Sequence, residues 1–137
     1  LEFAYLQASE HDLPLTVVHS VWDTVATVTD PHVAPLNEPN LEDARIRLAE
    51  SVSGFREKFP DVHVQQVVAR GLPAATLLAL ADRMDLVVVG RHQRSGLSNV
   101  LLGSVAASVV EHATCVVAVV PVGNEAEHDG TNVPPSD

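Results

Sequence analysis

Apolar positions fall into two alternating kinds of segment along the chain. Four short β-branched runs, 15-LTVVHSV-21, 62-VHVQQVVA-69, 86-LVVVG-90 and 115-CVVAVV-120, have the length of buried strands. Between them lie longer stretches with helical spacing. From Leu41 to Phe59, the residues Leu41, Ala44, Ile46, Leu48, Val52, Phe55 and Phe59 fall broadly along one helical face. Asn40 stands where an N-cap would be, Glu42 and Asp43 sit at the positive end, and Pro60 stops the helix. Pro73 opens a second helix that runs to Met84, and Ser104 caps a third, SVAASVVEH. The opening residues, LEFAYLQASEHD, read as the last turns of a fourth.

This order predicts the fold class. Helix and strand alternate throughout, and parallel strands need crossover connections, which the helices supply. The strands are nearly all apolar, as expected when helices cover both faces; His63, Gln65 and Gln66 mark the second run as more exposed. The expectation is a Rossmann-like α/β domain, an open parallel sheet with helices on both faces, whose ligand site lies beyond the carboxyl ends of the strands. Asp23 to Asn40 holds three prolines and no strong period, and reads as a surface loop beside that site. From Gly123 onward the chain carries four acidic residues, no basic ones and Val133 as its one large apolar residue, which predicts a disordered tail over 123–137 after a domain over 1–122.

Composition narrows the function. At 137 residues and 46% apolar, the chain can bury a core without disulfides or a structural metal. Cys115 alone builds neither a disulfide framework nor a four-ligand zinc site, and the seven histidines have no spacing that would pair them on one metal. With 18 acidic residues against 8 basic ones, a net charge of −10 argues against a nucleic-acid binder. No apolar run approaches the ~18–20 residues that span a bilayer, so neither a membrane nor a secretory route is expected and a cytoplasmic protein is. The chain begins at Leu1 rather than at a methionine.

Candidate chemistry is concentrated in 86-LVVVGRHQRSGLSNVLLGSVAASVVEH-112. Gly90 would let a phosphate or ribose approach the backbone at a strand end. Gly103 does the same at a helix start, where free amides and the macrodipole favour negative charge. The Ser104 hydroxyl can cap the helix or bond a phosphate oxygen, and Arg91 and Arg94 add two of the chain's eight cations. Taken one at a time these are ordinary loop features; following a buried strand together they point to an anion site. The segment has neither the Gly-Lys pair of the Walker loop nor the G-x-G-x-x-G fingerprint. No nucleophile turn precedes a helix, so no catalytic residue is assigned.

The spacing of Gly90 and Gly103-Ser104, the flanking text DLVVVG, LLGSVA and CVVAVVPV, and the blocks LTVVHSV and RGLPAATLLALA resemble the universal stress protein domain over about residues 1 to 122. The resemblance implies a nucleotide, ATP or else AMP or another anion, held at the strand-end loop. The backbone at Ser20 would meet the adenine, Val89 and Gly90 would lie beside ribose and phosphates, and Gly103, Ser104 and Val105 would hold phosphates, with Arg91, Gln93 and Arg94 lining the loop between. Two departures stand out. The signature's second glycine is Gln93 here, and the family's first strand, with its aspartate-containing loop, has no counterpart, since this chain starts inside the first helix. In the family's sheet order that strand is central, so its absence would leave the first and third strand runs of this chain with bare inner edges, and residues before Leu1 or a strand from another chain are expected.

The resemblance further implies a homodimer or tandem-domain pairing through the 116–120 strand. Two readings follow: a stress-response module regulated by nucleotide, with slow ATP hydrolysis at most, or a degenerate domain that no longer binds nucleotide and serves as a dimerisation scaffold. A phosphotransferase or nucleotide hydrolase is disfavoured by the missing loop lysine and magnesium-binding carboxylate.

Overall fold

A computed structural model describes residues 1–21, 38–92 and 102–122. The loop read into 23–40 falls mostly outside these residues, and the acidic tail wholly so. Helix and strand alternate as α1 (Glu2–Glu10), β1 (Leu15–Val21), α2 (Glu38–Lys58), β2 (Val64–Arg70), α3 (Pro73–Ala81), β3 (Leu86–His92), α4 (Ser104–His112) and β4 (Val116–Val122). All strand pairing is parallel, so this is the α/β architecture expected. The strands do not form one sheet. β1 pairs with β2 and β3 with β4, and among the described residues no strand pairing joins the two. Val17 lies opposite Gln66 and Val88 opposite Ala118, not opposite each other.

Several element ends differ from the sequence reading for local reasons. α2 begins at Glu38, so Asn40 lies within it; Pro39 is tolerated because a first turn leaves its amides without helical partners anyway. Ala44, Leu48 and Val52, at i, i+4 and i+8, are the buried stripe of α2, whereas Ile46 is 49% exposed. Two residues from either neighbour, it is turned to the far side of the helix. α3 has Pro73 in its first turn as expected, but ends at Ala81. The chain then tightens, the Met84 amide donating to the Ala81 carbonyl at 3.0 Å. Gly103, not Ser104, is the N-cap of α4: its carbonyl accepts the Ala107 amide at 2.9 Å, which makes Ser104 the first helical residue.

Each strand pair has its own core. Tyr5, Val17, Leu48 and Val52 cluster where α1 and α2 pack on β1, with Phe55 and Phe59 beside them. Ala81, Val87, Val89, Ala106 and Val109 cluster where α3 and α4 pack on β3. α3 also packs on β1, and so bridges the halves. No helix among the described residues is long and apolar enough to cross a membrane.

Candidate functional site

The chain winds outward from β1 to β2 and, in the other half, from β3 to β4. Between β1 and β3 the winding therefore reverses, and such a reversal is where open α/β folds bind ligands, just past the carboxyl ends of the strands. A cavity of about 340 Å³ lies short of those ends, between the edges of β1 and β3 along Leu15–Val18 and Leu86–Gly90. It is bounded by the edges of β1 and β3, by Leu1 and Ala4 at the start of the chain, and by Leu77, Leu80, Ala81 and Met84 in and after α3. At the far end it reaches Gly90 of β3 and Val105 of α4.

Of the residues the sequence singled out, the structure brings Val89, Gly90 and Val105 onto this cavity. Val89 is buried in the α3–α4 core, while Gly90 is exposed and lies within β3, which runs on to His92 instead of ending at the glycine. Gly103 and Ser104 are both exposed at the start of α4, next to Val105. The Gly103 backbone has φ −58° and ψ 157°, which any residue can adopt, and no atom lies within 4 Å of the place a Cβ would occupy. Among the described residues no side chain caps α4, and a glycine cap offers no side-chain acceptor to its first amides. Arg91 is half-buried in β3, opposite Pro121 of β4. Gln93 and Arg94 lie outside the described residues.

Ser20 stands apart from the cavity lining, at the carboxyl end of β1. Its hydroxyl donates to the Gly71 carbonyl at 2.5 Å, and the Gly71 amide donates to the Val21 carbonyl at 3.1 Å. Gly71 has φ +123°, a conformation that side chains rarely permit, so a glycine is needed where β2 turns into α3. These two bonds tie the ends of β1 and β2 together and fix the rim on that side.

Sequence reasoning missed the lining contributed by Thr16, Val18, Leu77 and Leu80. Their apolar or β-branched character looked like ordinary core. For Thr16 and Val18 the signal that could have found them is the bare inner edge of β1, which turns its residues towards a gap; Leu77 and Leu80 of α3 carry no such signal.

Parallel strand pairs joined by crossover helices define a Rossmann-like α/β protein. Within that class the chain belongs to the universal stress protein family, whose sequence pattern matches residues 1–121. A universal stress protein of Mycolicibacterium smegmatis is 41% identical over 117 residues, which cover 85% of this chain and 39% of that protein. One from Mycobacterium tuberculosis is 38% identical over 125 residues, covering 88% and 39%. The chain thus spans well under half the length of these curated relatives. Among solved structures, it is similar to the universal stress protein UspA from Lactobacillus plantarum, with a TM-score of 0.62 at 25% identity, covering 87% of this chain and 85% of that one. A universal stress protein in complex with cAMP gives a TM-score of 0.60 at 25% identity, covering 88% and 83%.

Proposed function

We propose that this domain binds ATP, or a related nucleotide, across the carboxyl ends of β1 and β3, and that occupancy regulates a stress response through a partner. The observation that carries the reading is that Gly90 and Val105, in the first turn of α4, meet at one end of the cavity, with no side-chain cap on α4 among the described residues. A helix N-terminus with uncapped amides favours a phosphate, and a glycine at the facing strand end allows the ligand to lie against the backbone. Support also comes from family membership and from the structural neighbour that holds cAMP.

In this reading the phosphates lie over Gly103, Ser104 and Val105, the ribose lies near Val89 and Gly90, the adenine meets the backbone at Ser20, and Arg91, Gln93 and Arg94 flank the phosphates. The site is a binding site rather than a fast catalyst, hydrolysing ATP slowly at most, and the protein works in the cytoplasm. The outer edge of β4 has no strand partner among the described residues, and Val116 on it is 68% exposed. An unpaired apolar edge invites a second strand, so two copies, or two tandem domains, pair through β4.

Calorimetric titration of the chain with ATP tests the reading. Saturable heat with one nucleotide per chain is expected. No heat at millimolar ATP, from a protein that light scattering shows to be dimeric, would replace the nucleotide module with a dimerisation scaffold.

A further inference from the structure

We propose, on the reading above that the base meets the backbone at Ser20, that the Ser20 side chain is a positioning group for the nucleotide base: by holding the Gly71 carbonyl it fixes the carboxyl end of β1 in the orientation the base requires.

The last pair of the β1–β2 ladder is Val21 with Arg70. The end of a ladder opens more readily than its middle. Gly71, the residue after Arg70, extends the attachment by one step, and it does so with both of its polar groups. Its amide donates to the Val21 carbonyl at 3.1 Å, and its carbonyl accepts the Ser20 hydroxyl at 2.5 Å. Its φ of +123° is one that side chains rarely adopt, while no atom comes within 4 Å of the place a Cβ would take. Backbone geometry, not crowding, therefore calls for glycine here, and in that geometry both polar groups bond to the end of β1.

Side chains alternate along a strand, so Ser20 shares a face with Thr16 and Val18, opposite Val17. Val17 belongs to the core beneath α1 and α2, which leaves Ser20 on the α3 side of β1. Gly71 leads to that side, since Leu72 is the N-cap of α3 and Pro73 opens it. Strands favour β-branched residues, and Thr16 and Val18 follow that preference where Ser20 does not. The half-buried serine contributes a hydroxyl instead of packing volume, and its proton is committed to Gly71. What Ser20 offers a ligand is then its backbone, held in place through its own side chain.

The test titrates the full chain in a calorimeter with ATP and, separately, with inorganic tripolyphosphate, which keeps the phosphates and lacks the base. The parent should bind ATP more tightly than tripolyphosphate. Ser20→Ala should weaken ATP about five- to tenfold, the factor expected for one lost hydrogen bond, and leave tripolyphosphate unchanged. Ser20→Thr keeps the hydroxyl and should keep the preference for ATP. Gly71→Ala opposes the positive φ and should also weaken ATP; adding Ser20→Ala to it should cost nothing further, because the two residues act as one clamp. Without nucleotide, hydrogen exchange of the Gly71 amide should quicken in Ser20→Ala and not in Ser20→Thr. Undiminished ATP affinity in Ser20→Ala, or an unchanged exchange rate, would overturn the proposal. So would an equal loss for both ligands, which would make Ser20 a structural residue with no bearing on the base. A parent that binds neither ligand would end the nucleotide reading and the proposal together, whereas a parent that prefers ATP with an indifferent Ser20→Ala would end the proposal alone.

Discussion

Tyr5→Ala should destabilise the domain by about 3–5 kcal/mol, the range for removing a large buried aromatic side chain. Tyr5 is fully buried, and its ring lies 5.1 Å from that of Phe55 and 5.7 Å from that of Phe59, stacked on both. Truncation leaves a hole between α1, β1 and α2 and removes the main apolar anchor of α1. Since small domains have only about 5–15 kcal/mol to lose, the variant should melt far below the parent in a thermal scan.

Tyr5→Phe should behave in the opposite way. The Tyr5 hydroxyl is buried and has no hydrogen-bond partner among the described residues. An unsatisfied buried hydroxyl costs roughly 1–3 kcal/mol, so its removal should leave the melting temperature equal or higher. Burial also raises the hydroxyl pKa above its ordinary 10.0, the nearby Arg56 opposing this in part. An unfolded tyrosine loses its proton near pH 10 and the folded one only at higher pH. The favourable contribution is therefore complete below pH 10 and is lost as pH rises towards the folded pKa. Tyr5→Phe should lose less stability than the parent between pH 9 and 11. A drop of 1 kcal/mol or more at neutral pH would mean that the hydroxyl has a partner.

Gly103→Val should weaken ATP binding at least a hundredfold while leaving the fold intact. The Gly103 backbone conformation is open to any residue, and a new Cβ meets no atom within 4 Å. The loss at the cap should stay within about 1 kcal/mol. In the proposed complex the space around that Cβ belongs to the phosphates, which a valine side chain would exclude. Gly103→Ala should fall between the two. A melting temperature within a few degrees of the parent, together with lost calorimetric heat, separates ligand exclusion from unfolding. Undiminished affinity in Gly103→Val would move the ligand away from α4.

How much of this was legible beforehand depended on range. The alternation of apolar runs with capped helices gave all eight elements in order, because burial on both faces demands continuous apolar strands and crossovers demand helices. Boundaries read less well where backbone geometry overrules side-chain preference. Ser104 has the better capping side chain, yet the carbonyl of Gly103 takes the cap, and Asn40 is passed over because the helix starts before Pro39. Ile46 was misread because a broad apolar stripe hides which residues face away.

Gly90 and Gly103 stood out in the sequence as candidate site residues, and the backbone at Gly103 does not require a glycine. The cavity between β1 and β3 was legible only as a missing strand in a family pattern. Its lining residues were not, since Thr16 and Val18 differ from core residues only in having no neighbouring strand, and strand neighbours are set by distant parts of the chain.

The central claim is that a nucleotide lies over the start of α4 beside the end of β3. The most direct measurement is a proton–nitrogen correlation spectrum of the labelled chain titrated with ATP, which reads each backbone amide separately. The account predicts saturable shifts that are largest at Gly90, Arg91, Gly103, Ser104 and Val105, with one common affinity. Shifts absent at saturating ATP, or confined to amides remote from these residues, would contradict it.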